Sequence, residues 1–192
     1  NLVKFNTTNP TAISNAGKGN ARGIELFWRD SKTIKNVDYW LSYSFLDTKR
    51  LYLDYPISAT PTFASAHNFS AVYKHFISKW KSQLGFTYSF SSSRPYYNPN
   101  RPASQFHEDR TPAYHDLSAN IAYLPKNNLI VYLSCTNLLG RDNIFGYQYS
   151  AATNTQGQYE SRAVRQAANR FLFVGVFITL SKNKTVNQLP NL

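Results

Sequence analysis

Three arginines and three aromatic rings fall close together in this chain: Arg94, Tyr96, Tyr97, Arg101, Phe106 and Arg110 all lie within residues 93–113. Guanidinium groups bring charge and paired hydrogen bonds, and rings bring flat stacking surfaces, so this mixture suits an anionic or sugar-like ligand. Arg94, Tyr96, Tyr97, Arg101 and Arg110 are therefore the candidate ligand-binding residues. Pro95 and Pro99 stiffen the same stretch, and an ordered loop packed on its own rings accounts for the same residues. Metal-ligating types gather at His107, Glu108 and Asp109 and again at His115 and Asp116. Their spacing fits no recognised site, and no metal is expected. No Gly-x-Ser-x-Gly, His-Glu-x-x-His or phosphate-cradling glycine loop occurs. With only 10 acidic residues, and with Glu25, Asp38 and Asp116 placed on water-facing strand positions, no carboxylate pair is set up for acid and base work. Neither a catalytic residue nor a cofactor is expected. Cys135 is the sole cysteine; it forms no internal disulfide and reads as a small hydrophobe.

The elements that must position the loop carry a plainer signal. Val37, Tyr39, Leu41, Tyr43 and Phe45 alternate with Asn36, Asp38, Trp40, Ser42 and Ser44. Successive side chains of a strand point to opposite faces, so this segment has an apolar face and a polar one. Trp80, Leu84, Phe86, Tyr88 and Phe90 alternate in the same way with Lys81, Gln83, Gly85, Thr87 and Ser89, and Leu117, Ala119, Ile121 and Tyr123 with Asp116, Ser118, Asn120 and Ala122. The pattern predicts strands over residues 19–30, 35–47, 67–76, 80–92, 114–123, 129–138 and 169–182, with residues 2–8 as the end of an earlier one. Short turns follow the first, third and fifth strands, and long connections (48–66, 93–113 and 140–166) follow the others. Strands of roughly 9 to 11 residues with short turns at one end and long loops at the other are the signature of an outer-membrane barrel.

Composition agrees. The 192 residues include 14 Tyr and 13 Phe, which suits aromatic girdles at membrane interfaces. No run approaches the roughly 18 apolar residues of a spanning helix. A mean hydropathy of -0.44 does not argue against a membrane, because a barrel conceals its apolar half in alternation. The net charge of +11 is spread over loops and strand ends, which fits anionic headgroups or ligands rather than nucleic acid. The chain has no methionine and begins at Asn1 without a signal peptide, so it is expected to be a segment of a longer product.

Three stretches carry a family resemblance. Thr111-Pro112-Ala113-Tyr114-His115-Asp116-Leu117-Ser118 is similar to the opening of a late barrel strand in TonB-dependent outer-membrane receptors. Cys135-Thr136-Asn137-Leu138-Leu139-Gly140-Arg141-Asp142-Asn143 resembles the strand end that leads into their penultimate loop, and Arg170-Phe171-Leu172-Phe173-Val174-Gly175-Val176-Phe177-Ile178 resembles their closing strand. The resemblance implies the C-terminal part of a barrel of about 22 strands in the bacterial outer membrane. It also implies partners: lipid, the remaining barrel and its plug domain, TonB through the missing N-terminal part, and a small-molecule or glycan substrate. The expected fold is all-β, an antiparallel up-and-down transmembrane barrel segment of about seven or eight strands. Residues 1–18 form a preceding strand end and loop, 19–182 the barrel strands and 183–192 a polar tail. A complete eight-stranded barrel with a structural or adhesive role, and a soluble sugar-binding β-sandwich, are the alternatives.

Overall fold

The structure is a computed structural model that describes residues 2–5, 9 and 13–180. Its elements are β1 (Leu2–Phe5), β2 (Ile13–Asp30), β3 (Val37–Leu51), β4 (His67–Ile77), β5 (Ser82–Ser91), β6 (Tyr114–Lys126), β7 (Leu129–Thr136), β8 (Ile144–Thr153), β9 (Tyr159–Arg165) and β10 (Phe171–Ile178). No α-helix occurs among the described residues. One sheet has the order β1-β2-β3-β4-β5-β6-β7-β10, and β8 and β9 form a hairpin of their own. From β2 onward each sheet neighbour is antiparallel, with β10 returning to pair with β7. The short connections lie at one end. In the first, the Asp30 carboxylate accepts from the backbone N–H of Lys32 and Thr33 at 2.8 and 3.0 Å. In the second, a single 3₁₀ turn ends at Lys81 in the left-handed region.

Register keeps the two faces distinct. Leu26, Tyr43, Phe69 and Phe90 stand side by side across β2 to β5, and Ile121, Leu133 and Val174 across β6, β7 and β10. Between its two ends this face is an apolar band and is exposed: Leu26 is 62% exposed and Val174 68%. A one-residue slip in any pairing would turn that strand's apolar set to the other side, so alternation fixes the register. The opposite face carries Ser42, Ser70 and Ser89 in one row. On it Arg29 donates to both Asp38 oxygens, at 2.9 and 2.6 Å. The charged groups of Arg29 and Lys74 lie 5.5 and 5.8 Å from the centre of the Trp40 ring, a cation–π arrangement.

Several features differ from the sequence expectation. β2 begins at Ile13 and β3 runs to Leu51, beyond the last outward apolar pair, Ile24 and Phe45. There the chain pairs in water and needs no apolar face. The connection 140–166 contains β8 and β9. Trp80 belongs to the 3₁₀ turn rather than to a strand. Ala122 is buried with Leu124 and Ile130, with Phe76 and Tyr132 packed against them, so the inner face is apolar near the short turns.

Among the described residues β1 pairs antiparallel with the distal end of β2, and the Leu53 N–H donates to the Val3 carbonyl at 2.7 Å. Residues 6–8, which the sequence adds to that strand, lie outside the described residues, as do residues 181–182 of the closing strand and the tail from 183 on. The sheet is open, with no pairing between its first and last strands among the described residues. Among the described residues the sheet thus differs from a closed eight-stranded barrel, and no second sheet covers its apolar face as one would in a sandwich.

Candidate functional site

Above the sheet the three long connections lock together. Residues 93–113 first prolong the β5–β6 hairpin: the Tyr96 N–H donates to the Asp109 carbonyl at 3.0 Å and the Thr111 N–H to the Arg94 carbonyl at 2.9 Å. Next, Asn98 turns the chain by accepting the Asn100 N–H at 3.0 Å. Arg101 donates two bonds of 3.2 Å to Asp109, one to each carboxylate oxygen, and the Asn98 amide donates to the same carboxylate at 2.5 Å. Those donors, Arg101 first, hold the Asp109 carboxyl below the usual range, and the pairing raises Arg101 in turn.

His107 anchors this loop to the preceding one. It is buried, and its Nδ1–H donates to the Thr60 carbonyl at 3.0 Å. The Phe106 ring stacks on it at 3.9 Å and the Tyr55 ring meets it edge-on at 4.8 Å. Burial pushes the imidazole below its ordinary value and the Tyr55 phenol above its own.

The β8–β9 hairpin joins from the other side. The Asn100 amide donates to the Tyr159 carbonyl at 2.9 Å and accepts the Tyr159 N–H at 2.8 Å. The Tyr96 and Tyr147 rings lie 4.6 Å apart, and the phenols of Tyr96 and Tyr149 are near enough to influence each other's titration. Desolvation, followed by Tyr96, pushes Tyr149 up to about 12. Arg94 donates to the Phe145 carbonyl at 3.0 Å.

Two of the cavities between the loops hold more than one candidate residue. The larger, of about 770 Å³, is walled by Phe63, Arg94, Tyr96, Tyr97, Tyr147, Tyr149 and Tyr159 among others. The smaller, of about 390 Å³, lies between Asp54, Tyr97, Arg101 and His107. Of the five candidate residues, Arg94, Tyr96 and Tyr97 meet at the larger cavity, and Tyr97 and Arg101 at the smaller. Arg101 reaches its cavity with its guanidinium already engaged by Asp109. Arg110 lines neither. Sequence reasoning missed Phe63, Tyr147, Tyr149 and Tyr159. The alternation of Phe145, Tyr147 and Tyr149 with Gly146 and Gln148 was the signal available. The metal-type residues disperse: His115 meets the Tyr88 hydroxyl at 2.8 Å, Asp116 accepts from Ser118, and no metal-ligating cluster occurs among the described residues.

The β-barrel model described as TonB dependent receptor-like matches residues 1–138. The ferric-catecholate import receptor Fiu of E. coli is similar in structure, with a TM-score of 0.59 at 17% identity over 91% of this chain and 23% of that one. The siderophore receptor PiuA of Acinetobacter baumannii gives 0.64 at 13% identity over 91% and 24%. The outer membrane transporter YddB of Escherichia coli gives 0.61 at 11% identity over 92% and 28%. The chain thus spans about a quarter of the length of each. No curated protein matches it in sequence.

Proposed function

Because this chain belongs to the TonB-dependent receptor-like β-barrel family of the bacterial outer membrane, whose members compared above are receptors and transporters rather than enzymes, we propose that it is the C-terminal barrel section of a nutrient importer. Residues 19–182 serve as barrel wall, 1–18 as the preceding strand end and loop, and 183–192 as a polar tail. The intact protein would carry a metal chelate, vitamin or glycan inward, with a plug domain in its lumen and energy delivered through TonB. Import rather than catalysis is the reading that fits a wall whose outer face is made for lipid and whose loops enclose a ring-lined cleft.

The observation that carries the reading is the cleft between Arg94, Tyr96, Tyr97 and the β8–β9 hairpin. Its rings offer stacking surfaces, its hydroxyls hydrogen bonds and Arg94 a positive charge, a set suited to an aromatic or polyhydroxylated chelate. Two of the structural relatives are iron-chelate receptors by name, which places a ferric catecholate first among the probes. The test is calorimetric titration of the intact receptor with a ferric catecholate, cobalamin and a maltooligosaccharide. One probe should bind, and Tyr96→Ala combined with Tyr147→Ala should weaken it at least about tenfold. Arg110→Gln, outside both cavities, should leave affinity unchanged. Binding indifferent to the tyrosine pair would remove the cleft from the account.

A further inference from the structure

The outer face of the sheet ends, on the long-loop side, in two copies of one side-chain arrangement. On β3, Tyr43 and Phe45 point outward two residues apart, and His67 of β4 stands directly across from Phe45. On β5, Tyr88 and Phe90 repeat that spacing, and His115 of β6 stands directly across from Phe90. In both copies the tyrosine hydroxyl lies 2.8 Å from the imidazole Nδ1. The phenylalanine ring packs on the imidazole, with centroids 5.3 Å apart in the first copy and 5.0 Å in the second. A phenol that donates to Nδ1 fixes the neutral ring as its Nε2–H tautomer. Nε2 has no partner among the described residues in either copy. In that tautomer each ring presents one N–H donor at the height where the apolar face stops.

Charge gathers just beyond that height. Lys18 and Arg22 continue the outward alternation of Ile24 on β2, and Lys49 continues that of Phe45 on β3. Only Asp47 offsets them, in an ion pair of 2.8 Å with Arg22 that leaves the arginine side chain 84% exposed. Three cations against one carboxylate, set above a band of lipid-facing side chains, lie where a bilayer places its headgroups.

We propose that the two Tyr–Phe–His sets, with the Lys18, Arg22 and Lys49 rim, form binding sites for the phosphate of lipid headgroups in the leaflet on the long-loop side. The Nε2–H of His67 and of His115 donates to a phosphate oxygen, and beside His67 the rim cations on β2 and β3 hold the charge. The phenylalanine ring tilted against each imidazole keeps it in place at the surface of the hydrocarbon. An aromatic girdle that serves only as an amphipathic belt would take any headgroup. These sites distinguish phosphate from an uncharged sugar. The function is separate from ligand import and stands whether or not the loop cleft binds a chelate.

The test uses the intact receptor in lipid nanodiscs doped with spin-labelled phosphatidylglycerol or with an uncharged glycosyl diacylglycerol of the same chains. The phosphate lipid should be retained preferentially at the protein boundary. His67→Leu with His115→Leu should reduce that preference about fivefold, and Lys18→Gln, Arg22→Gln and Lys49→Gln about fivefold for each cation removed. Heat-modifiable migration checks that each variant has folded. Independently of any variant, ¹⁵N NMR of histidine-labelled wild-type receptor should show Nε2–H tautomers at positions 67 and 115. Equal retention of the two lipids, a preference that survives both sets of substitutions, or an Nδ1–H tautomer would overturn the proposal. So would loss of the preference in millimolar inorganic phosphate, which would mark a site for a soluble anion.

Discussion

His107 shows how much one side chain can hold. Its ring donates to the Thr60 carbonyl and stacks on Phe106, so it couples two loops that are remote in sequence. Burial lowers its folded-state pKa below the unfolded value of about 6.5. A group shifted down in this way favours folding while it is neutral. The contribution is complete above the unfolded pKa and drains away as pH falls from there through the folded value. Protection factors for amide exchange in residues 93–113, taken relative to the intrinsic rate at each pH, should therefore be high at neutral pH and fall on acidification below about 6.5. His107→Phe, which keeps the stacking and removes the titrating group, should flatten that dependence. Asp109 behaves analogously at lower pH: Arg101 and Asn98 hold its pKa down, so its contribution lasts until the solution is acid enough to protonate it. The two groups fail in separate windows, which allows their effects to be told apart.

Where strand meets loop, a single buried amide joins three segments. The Asn137 amide donates to the carbonyls of Arg141 and Asn169 at 2.7 and 2.6 Å, and its oxygen accepts the Arg141 N–H at 3.0 Å. It thereby ties the end of β7 to the approach to β10. Its backbone sits in the left-handed region, with φ of 47°, where asparagine is tolerated better than most residues. Gly140, with φ of 65° and the Arg170 guanidinium close over it, completes the turn. Asn137→Ala would strand buried carbonyls and strain the backbone, and should cost about 2 to 4 kcal/mol. The measurement is the midpoint of thermal unfolding of the intact barrel in detergent.

This corner was readable as the Asn-Leu pair that closes a barrel strand, because the motif is local. The strands in contact with lipid were readable for a different reason: apolar side chains must alternate there, and Tyr39, Leu41 and Tyr43 do. The first residues of β2, the last of β3 and the β8–β9 hairpin, apart from the ring alternation at Phe145, Tyr147 and Tyr149, were not. They pair beyond the apolar band, where Gly17, Lys18 and Gly19 or Arg162 and Ser161 serve as well as any hydrophobe, so no periodicity is imposed. The cleft inherited that gap, since Tyr147 and Tyr149 reach it from the hairpin. The inner apolar cluster at Ala122, Leu124 and Ile130 was also hidden, because a two-letter alternation assigns each strand one wet face along its full length.

At the scale of the molecule, lipid on one side of the ribbon accounts for most of what the chain does. Nitroxides at Leu41, Phe86 and Ile121 of the intact receptor in bilayers should be relaxed strongly by dissolved oxygen. Labels at Ser70 and Asn120, one residue out of phase, should respond to oxygen less. Equal responses at the two sets would contradict a barrel wall. The loops are held to each other by rings and amides and to the wall through the β5–β6 hairpin, so the cleft rests on a rigid support rather than on three separate tethers.

The open flanks of the sheet carry a consequence for biogenesis. β10 pairs with β7 along all eight of its residues, and its other margin has no pairing partner among the described residues. In hydrocarbon each peptide group left alone costs several kcal/mol. A half-built wall is thus barred from the bilayer by its own backbone. The segment produced in isolation is therefore expected to associate margin to margin rather than enter a membrane.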